Sequence, residues 1–390
     1  LMQEKHLKVF EAKMNSANLE KMKELDNEPL NEYLADAIEL CDPDTVFVCG
    51  DSDEDMEYIR AKAVETGEEK KLNIEGHTVH FDGFNDQGRD PQNTKYLVPP
   101  GQDLGKRLRQ IDKQTALDEV RGFLKGSMKG REMILRILCL GPLDSVFSIS
   151  GVQVTDSFYV AHSENLLYRP GFEQFKKLNG SGDFFKVIHS AGKVGEDMTS
   201  VEVDKRRIYI DLDDEIVYSC NTQYAGNTVG FKKLCFRLAI CKADREGWLA
   251  EHMFVMGCNG PGGRKTYFTG AFPSFCGKTS TAMLPGESIV GDDLAYLRKK
   301  DDKVYGVNVE SGIFGIIKDV NPEDDPLIHN SITTPREVIF SNILISDGVP
   351  YWLGDGREPP EKGINFSGEW YKGKKDDNGN EIPIAHKNAR

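Results

Sequence analysis

The amino-acid sequence predicts a mixed α/β protein, with an N-terminal lobe and a lobe that contains a phosphate-binding loop. A short apolar strand, an acidic turn and a capped helix follow one another between Thr45 and Glu65. Strand-like segments dominate the middle of the chain. A further strand-like run, Thr266 to Phe272, leads into Gly277-Lys278-Thr279 and a helix-compatible stretch. Alternating strands and helices of this kind are typical of α/β domains.

The first of three predicted regions covers residues 1–125. Residues 1–45 are polar, and their apolar positions recur at helical spacing, which predicts helical structure. Thr45–Cys49 is predicted to be a buried strand, and Asp51–Glu65 a helix with an acidic first turn. Residues 66–112 are rich in Gly, Asp, Asn and Pro and are predicted to form loops. His77 and His80 lie there, and an ordinary loop or strand pair is favoured over a metal site.

The second predicted region, residues 126–255, is rich in strands. Alternating or apolar runs predict the strands, which fall within Arg131–Ser150, Lys186–His189, Arg207–Leu212 and Phe254–Met256. A helix is predicted from Asn227 to Ala243, and His162 and His189 are interpreted as structural. The third region, residues 256–390, carries the phosphate loop and a solvated turn at residues 372–380.

The segment from Phe272 to Thr281 carries the most informative chemical signal. A strand, a glycine turn and a helix start direct backbone N–H groups toward a polyphosphate. Lys278 can reach the outer phosphates, and the Thr279 hydroxyl can bind a magnesium ion. The strict P-loop spacing requires glycine where Phe272 stands, so the triplet alone leaves a phosphate site and a chance match both open.

A second short strand follows the loop and ends in two acidic residues. Ser288–Gly291 is apolar enough to form the strand, and Asp292 and Asp293 come directly after it. Carboxylate oxygens suit a hard divalent cation beside bound phosphates. Cys276 borders the cationic end of the loop, which favours its interpretation as a reactive, loop-shaping thiol rather than a nucleophile.

Composition limits the classes of function. The chain has 390 residues and a formal net charge of −14, which argues against a general binder of nucleic acid or membrane surfaces. Eight cysteines without Cys-x-x-Cys spacing, and the lack of a signal-like or membrane-spanning run, predict a reduced cytoplasmic setting. Anionic ligands would need locally focused positive charge. The candidates are Lys232, Lys233, Lys278, Arg131 and Arg390.

From Arg131 to Arg390 the chain resembles the GTP-type phosphoenolpyruvate carboxykinases. Long segments carry this resemblance in the order and at about the spacing of the family. They are Tyr224-Ala225-Gly226-Asn227, Lys232-Lys233, Glu246 to Met253, Ala271 to Ser274, Cys276 to Thr279, Gly291 to Ala295, Asn308 to Gly315, Ile339 to Asn342 and His386 to Arg390.

The resemblance implies a fold with an N-terminal substrate lobe and a P-loop-containing nucleotide lobe. It also implies decarboxylation of oxaloacetate and phosphoryl transfer from GTP to the enolate, which yields phosphoenolpyruvate, CO2 and GDP. Two divalent ions take part in the family. The implied ligands are Lys233, His252 and Asp293 for Mn2+, and Thr279 for nucleotide-bound Mg2+, with Asp292 nearby.

The remaining site residues are also implied by the resemblance. Arg131 would grip a substrate carboxylate, Lys278 would neutralise the transferred phosphoryl group, and Cys276 would lie at the catalytic loop. The implied substrate-binding residues are Arg131, Tyr224, Gly226, Ser274, Asn388 and Arg390. The implied nucleotide-binding residues are Cys276, Gly277, Lys278, Thr279, Ser280 and Asp292.

Several positions depart from the family pattern. Ala225 replaces a glycine, Phe275 an alanine and Ser280 an asparagine. The family also continues for over two hundred residues beyond the match, and that part carries the guanine pocket and a mobile lid. The chain is therefore expected to be a fragment or to need a partner subunit. The alternatives left open are a pyrophosphate-using carboxykinase of the same family, a non-catalytic nucleotide- or phosphate-binding subunit, and a different P-loop kinase acting on a small acid.

Overall fold

The computed structural model describes residues 2–273 and 276–390. The helices in these residues are α1 (Glu4–Lys13), α2 (Ser16–Leu25), α3 (Glu28–Cys41), α4 (Asp53–Glu65), α5 (Lys113–Leu124), α6 (Phe158–Leu167), α7 (Phe172–Lys176), α8 (Ala225–Thr228), α9 (Lys233–Glu246), α10 (Lys278–Ala282) and α11 (Pro326–Thr333).

The strands fall into an N-terminal and a C-terminal set. The N-terminal set is β1 (Thr45–Cys49), β2 (Lys70–Lys71), β3 (His77–His80), β4 (Thr94–Val98), β5 (Gln110–Asp112), β6 (Glu132–Leu140), β7 (Ile149–Thr155), β8 (Arg169–Pro170), β9 (Phe185–Ser190), β10 (Arg207–Asp211) and β11 (Ile216–Cys220). The C-terminal set is β12 (Leu249–Glu251), β13 (Phe254–Asn259), β14 (Lys265–Gly270), β15 (Ser288–Gly291), β16 (Ala295–Lys300), β17 (Lys303–Asn308), β18 (Val338–Ser341), β19 (Leu344–Ser346), β20 (Val349–Tyr351), β21 (Lys362–Asn365) and β22 (Gly368–Tyr371).

A mixed sheet forms the centre of the N-terminal part. Its strand order is β1-β6-β7-β9-β11-β10-β4-β5, and β8 pairs with β6 outside this path. The central strands β7, β9 and β11 run parallel, whereas β6–β7 and β10–β11 are antiparallel. Helices α1–α3, α5 and α7 pack on one face, and α4, α6 and α9 on the other. The strands are therefore buried on both sides, as their long apolar runs require.

Local capping explains why the first helices begin where they do. The Asn27 side chain accepts a hydrogen bond from the Leu30 backbone at α3, and Ser52 does the same for Asp55 at α4. Three acidic residues in the first turn of α4 also suit the positive end of its dipole. The predicted helices in residues 1–45, the strand at Thr45–Cys49 and the capped helix after it are confirmed.

The C-terminal part consists of smaller sheets that hold the phosphate loop. Strand β13 pairs with both β14 and β15. The strand before the phosphate loop and the strand before the paired aspartates therefore belong to one sheet. Strand β16 lies between β12 and β17. Strand β18 pairs in parallel with β3, which joins the C-terminal part to the N-terminal part. The predicted strands at Thr266–Phe272 and Ser288–Gly291 and the helix after the loop are confirmed within a residue or two.

Two structural predictions are wrong. Residues 66–112 contain β2 to β5 and are not loops throughout, because β3 and β4 are stabilised by distant partners, β18 and β10. The helix predicted from Asn227 begins at Lys233, after a short helical turn and a break. At the break, a Cβ on Gly230 would lie 2.7 Å from the side chain of Val187, so the turn packs directly on β9.

The three predicted regions stay a prediction. Strands from both sides of residue 125 share the large sheet, and residue 255 lies inside β13. In residues 2–273 and 276–390, no helix combines the length and the apolar character that crossing a membrane requires.

Candidate active site

The phosphate loop connects β14 to α10. Gly277 has φ 78° and directly precedes Lys278, the first residue of α10. This left-handed conformation favours glycine, which explains its place before the lysine. The predicted substrate contact Ser274 and its neighbour Phe275 lie outside the described residues. Cys276 is exposed, and its backbone N–H donates to Pro273.

The side chains that follow Gly277 contact acidic residues. Lys278 is buried, and its Nζ donates to the Asp293 carboxylate. The Thr279 hydroxyl donates to Asp292 at 3.2 Å. The Ser280 hydroxyl instead donates to Asp325 at 2.6 Å, on the side of the loop toward α11. Hydrogen bonds therefore connect the phosphate loop to the paired aspartates.

Lys233, His252 and Asp293 converge at one point. Lys233 Nζ lies 2.8 Å from His252 Nε2 and 2.7 Å from Asp293 Oδ2, and His252 Nε2 lies 2.7 Å from Asp293 Oδ1. The three residues come from the start of α9, the turn after β12 and the turn after β15. Sixty positions separate the first from the last, so only the fold brings them together. We call these three residues the KHD cluster.

The electrostatics of the KHD cluster make Lys233 easier to deprotonate than an ordinary lysine and keep Asp293 ionised. Burial lowers the pKa of Lys233 to about 8, assisted by Lys232 and Lys278 and opposed by Asp293. Burial alone would raise the pKa of Asp293, but the His252 hydrogen bond and the neighbouring lysines hold it well below its usual range. A lysine can donate a lone pair only when it is neutral.

The KHD cluster fits a divalent cation by its donor set. Two nitrogens and a carboxylate oxygen are suitable for a first-row transition metal. Within the part of the chain that the structure describes, no group of three or more His, Cys, Asp or Glu side chains is arranged to hold a metal ion. A metal site here therefore depends on the lysine.

A second buried ion pair supports this cluster. Lys232 Nζ lies 2.8 Å from both carboxylate oxygens of Glu310 and 3.0 Å from Asp293. Burial raises the pKa of Glu310 to about 7 against the charge of Lys232. Sequence reasoning did not assign Glu310 a role. The signal was available, since Glu310 belongs to the segment Asn308 to Gly315 that carries the resemblance.

Arg390 lies on two aromatic rings. Its guanidinium carbon is 4.0 Å from the Tyr224 ring centroid and 5.4 Å from that of Phe314. The Phe314 ring is also 5.5 Å from Lys232 Nζ, so it lies between Arg390 and the support of the KHD cluster. Asp82 and Ser341 each accept from Arg390 at 3.2 Å. Its Nη1 is buried without a hydrogen-bond partner among the described residues, which is unusual for a buried donor.

Gly226 and Arg89 lie near Tyr224, the ring partner of Arg390, and Asn388 contacts the segment that precedes Arg89. Asn388 donates to the Gln87 carbonyl at 3.1 Å. A Cβ on Gly226 would lie 2.6 Å from the Tyr224 ring and 3.2 Å from Arg89, so only glycine allows this close packing. Sequence reasoning missed Arg89, which stands in the segment wrongly predicted as loops.

Arg131 has a different environment. Its Nη2 contacts Asp156 at 2.7 Å and donates to the Gly192 carbonyl at 2.6 Å and to the Ser127 carbonyl at 2.5 Å. Its described contacts are with these groups and not with the KHD cluster or the phosphate loop. Asp156 in turn accepts from Ser190 at 2.6 Å, which fixes the carboxylate.

Four other histidines have structural partners. His189 contacts the Thr155 hydroxyl and the Thr222 carbonyl, and His162 contacts two carboxylates. His77 and His80 lie in β3 and contact the Thr334 carbonyl and Asp82, respectively. The interpretation of His77 and His80 as part of a strand is confirmed.

Comparison with known proteins identifies the family of the chain. A phosphoenolpyruvate carboxykinase N-terminal domain model matches residues 32–244, and a phosphoenolpyruvate carboxykinase C-terminal P-loop domain model matches residues 248–390. The curated phosphoenolpyruvate carboxykinase [GTP] of Pyrococcus abyssi is 57% identical over 95% of this chain and 60% of its own length. Those of Thermococcus kodakarensis and Pyrococcus horikoshii are 55% and 56% identical over 98% and 95% of this chain, and 62% and 60% of theirs.

The chain spans about three fifths of the length of these curated relatives. The two family models together cover most of its residues, and the identity to the relatives extends through both parts. The chain belongs to the GTP-type phosphoenolpyruvate carboxykinase family.

Proposed function

We propose that the intact protein is a phosphoenolpyruvate carboxykinase that uses GTP. In this reaction the bond between C3 and C4 of oxaloacetate breaks, CO2 leaves, and the bonding electron pair remains as an enolate. The enolate oxygen then attacks the γ-phosphorus of GTP, the bond to the β–γ bridging oxygen breaks, and GDP leaves. The names of the relatives favour GTP over pyrophosphate as the donor.

The observation that carries this proposal is the KHD cluster beside Lys278. Decarboxylation develops negative charge at the enolate oxygen. Phosphoryl transfer requires stabilisation of the negative charge on the transferred phosphoryl group. Lys278 shares the Asp293 carboxylate with Lys233, so the two chemical steps would take place around one acidic residue. A phosphate loop alone would be compatible with many kinase reactions. A phosphate loop next to a donor set that contains a lysine favours this reaction.

The KHD cluster would hold Mn2+, and Thr279 with Asp292 would hold the Mg2+ of the nucleotide. When bound, the divalent ions supply positive charge at the enolate and phosphate oxygens. The protein's own contribution is to lower the pKa of Lys233, which makes loss of its proton less costly, and to keep Asp293 ionised. His252 then presents Nε2 toward the same point as both.

Arg390 would bind the substrate through its unpartnered Nη1. Tyr224 and Gly226 would form the wall of that pocket, and Asn388 would fix the neighbouring backbone at Gln87. The guanidinium is held from behind by Asp82 and Ser341, so its free edge would present a fixed donor to a carboxylate or phosphate. Ser274 keeps its proposed role as a further substrate contact.

The loop residues would act on the phosphates. Gly277 would let the backbone approach the nucleotide closely, Lys278 would neutralise the transferred group, and Ser280 would contact the outer phosphates on exchanging its Asp325 partner. Cys276 would shape the loop next to them.

Arg131 would grip a substrate carboxylate in exchange for Asp156. A bidentate guanidinium contact suits a planar carboxylate. Its bond to the Gly192 carbonyl would hold the side chain while the Asp156 contact changes.

We propose the cytoplasm as the compartment, since all eight cysteines are free thiols.

The direct test is the formation of phosphoenolpyruvate from oxaloacetate by the full-length protein. GTP, ATP and pyrophosphate are compared side by side with Mn2+ present. We expect turnover with GTP to exceed turnover with the other two donors. Turnover with pyrophosphate alone would assign the protein to a different donor class. Mn2+ binding without any turnover would support a non-catalytic subunit, and no oxaloacetate-dependent release of CO2 would favour another kinase.

The metal assignment is tested by His252→Ala and Asp293→Ala. Each change removes one donor, so we expect Mn2+ affinity to fall by at least tenfold and turnover to be lost. Asp302→Ala is the matched control, because the Asp302 side chain is fully exposed at the turn between β16 and β17. Unchanged Mn2+ affinity in both site variants would contradict the assignment.

A further inference from the structure

Most cations of the candidate active site are neutralised by a carboxylate. Lys232 is paired with Glu310, and Lys233 and Lys278 share Asp293. Arg131 is paired with Asp156, and Arg390 with Asp82. In a chain with a net charge of −14, these pairs leave little attraction for an anion at a distance.

Within the described part of the chain, three arginines at a cavity next to the candidate active site are not paired with a carboxylate in this way. Arg89, Arg107 and Arg109 are exposed, and in residues 2–273 and 276–390 none of them forms an ion pair with a carboxylate. With Arg237 and Lys233 they line a cavity of about 250 Å³ that also reaches Gly226. We call Arg107, Arg109 and Arg237 the arginine groove, and Arg89 lies between this groove and Tyr224.

The backbone holds the groove in place. Arg109 directly precedes β5, and its carbonyl accepts from the Tyr96 N–H of β4 at 2.9 Å. Arg237 lies one turn after Lys233 on α9, and its Nη1 donates to the Lys233 carbonyl at 2.7 Å. Arg237 therefore lies on the same face of α9 as Lys233, and both side chains line the cavity.

The acidic residues nearest in sequence do not cancel this charge. Asp103, in the loop before β5, accepts from the Gln110 side chain at 2.5 Å and from the Gly105 N–H at 2.8 Å. Asp90, next to Arg89, is bound by Arg206 at 2.8 Å. Lys106 adds a further positive charge beside Arg107.

We propose that the arginine groove is an entry site that captures a small dianion and passes it to the pocket of Arg89, Tyr224 and Gly226. The ligand class is an oxyanion with two negative charges, and a dicarboxylate is the expected occupant. This inference rests on the proposed function for its role in turnover, but anion binding by the groove does not depend on it. Locally focused positive charge of this kind raises association rates by tenfold or more, and salt suppresses the effect.

The kinetic test is the double variant Arg107→Gln/Arg109→Gln in the full-length protein. Both side chains are exposed and form no ion pair within the described part of the chain, so we expect the fold to tolerate their replacement. At low ionic strength we expect kcat/KM for oxaloacetate to fall about tenfold, through KM, and the difference to shrink below about twofold in 0.5 M KCl.

The charge-matched control is Lys8→Gln/Lys23→Gln. It removes the same two charges from exposed positions on α1 and α2. We expect its kcat/KM to match that of the unaltered protein at each salt concentration. An equal loss in both double variants would reduce the effect to net charge and would overturn the proposal. A loss in kcat that salt does not change would overturn it as well.

A binding test separates the groove from the reaction. Arg107 and Arg109 are modified with phenylglyoxal, without metal ions, and the modified peptides are quantified by mass spectrometry. We expect malonate to slow modification of both at least fivefold, and to leave the exposed Arg245 unchanged. Protection by inorganic phosphate but not malonate would support the groove with phosphate as its ligand, and protection by neither would overturn it. Protection in a protein without carboxykinase turnover would refute the proposed function alone.

Discussion

Among the single residues, Lys232 is a buried cation whose charge is balanced by Glu310. Replacing it with methionine would leave the Glu310 carboxylate buried and unpaired, in contact with neither water nor a cation. Breaking a buried pair in this way costs about 3–5 kcal/mol. We expect Lys232→Met to lower the free energy of unfolding by that amount, measured by urea denaturation.

The partner deletion provides the control for Lys232. In Lys232→Met/Glu310→Met both charges are removed together, so no unpaired charge remains. Replacing a buried ion pair by apolar side chains of similar volume is often close to neutral. We therefore expect the double variant to regain most of the lost stability. A double variant as unstable as the single one would show that packing, and not the unpaired carboxylate, causes the loss.

Cys276 is the thiol that a reagent should reach first. It is exposed at the phosphate loop, whereas burial raises the pKa of Cys41 to about 12 and that of Cys139 to about 11. We expect Cys276 to react fastest with a disulfide reagent, and Mg2+ with GTP to protect it because the nucleotide would cover the loop. Mass spectrometry of partially modified protein identifies the site, with Cys276→Ser as the control. Faster reaction at Cys241 or Cys258, or no protection, would contradict this interpretation of the loop.

The sequence predicted the components of the candidate site better than their contacts. Resemblance named Lys233, His252 and Asp293, and the structure brings them within hydrogen-bond distance. Their roles stay predictions. Arg89 was missed because its significance depends on what the fold places beside it, and no local pattern encodes that. Glu310 was missed although it lies in a segment that carries the resemblance.

Among the elements, α6 is connected to the small sheet β18-β3-β2 through His162. Its Nδ1 lies 2.8 Å from Glu69, just before β2, and its Nε2 lies 2.6 Å from Glu337, just before β18. Burial would lower the pKa of His162, but the two carboxylates outweigh it and raise it to about 9. The folded state thus favours the protonated imidazole.

This raised pKa predicts the pH dependence of stability. A histidine whose pKa rises from 6.5 to about 9 on folding contributes stability that is complete below pH 6.5 and is lost as the pH rises through 9. The contribution is on the order of 3 kcal/mol. We expect urea denaturation between pH 6 and 9.5 to show this loss in the unaltered protein, and His162→Gln to show much less of it.

His189→Gln is the matched control for His162→Gln. His189 is equally buried, but burial lowers its pKa, so its contribution would change below pH 6.5 and not above it. Between pH 7 and 9.5 the stability of His189→Gln should therefore fall in parallel with that of the unaltered protein. Parallel curves for His162→Gln as well would show that the carboxylate bridge is not the origin of the pH dependence.

Elements that depend on local signals were predicted well, and those that depend on distant partners were not. Helix α4 has its cap and acidic turn in the sequence, and β1 has its apolar run. In contrast, β3 is four residues long and is stabilised by pairing with β18, some 260 positions away. The start of α9 was predicted six residues too early, because the close contact of Gly230 with Val187 is a tertiary constraint.

For the whole molecule, the positions of the charged groups predict which phosphate ligands the 390-residue chain binds. Lys278, Thr279 and Asp292 are grouped at the phosphate loop, next to the KHD cluster. We expect these groups to bind a polyphosphate tail, which GDP, ADP and pyrophosphate share. Phe275 and Ser280 differ from the family pattern at the same turn. The chain spans about three fifths of its relatives' length, so whether base recognition lies within these residues is decided by experiment.

We expect the 390-residue chain by itself to bind Mg-pyrophosphate, GDP and ADP with dissociation constants within about tenfold, or ~1.4 kcal/mol, of one another. The physical reason is that the shared phosphates supply the contacts with Lys278, Thr279 and the divalent ion, while the base adds little. Calorimetric titration of the three ligands into this chain measures the differences directly, and Lys278→Ala should weaken all three together. Repeating the titration with the full-length protein then shows whether a guanine preference appears. A much tighter affinity for GDP than for ADP in the 390-residue chain would instead locate base recognition within these residues.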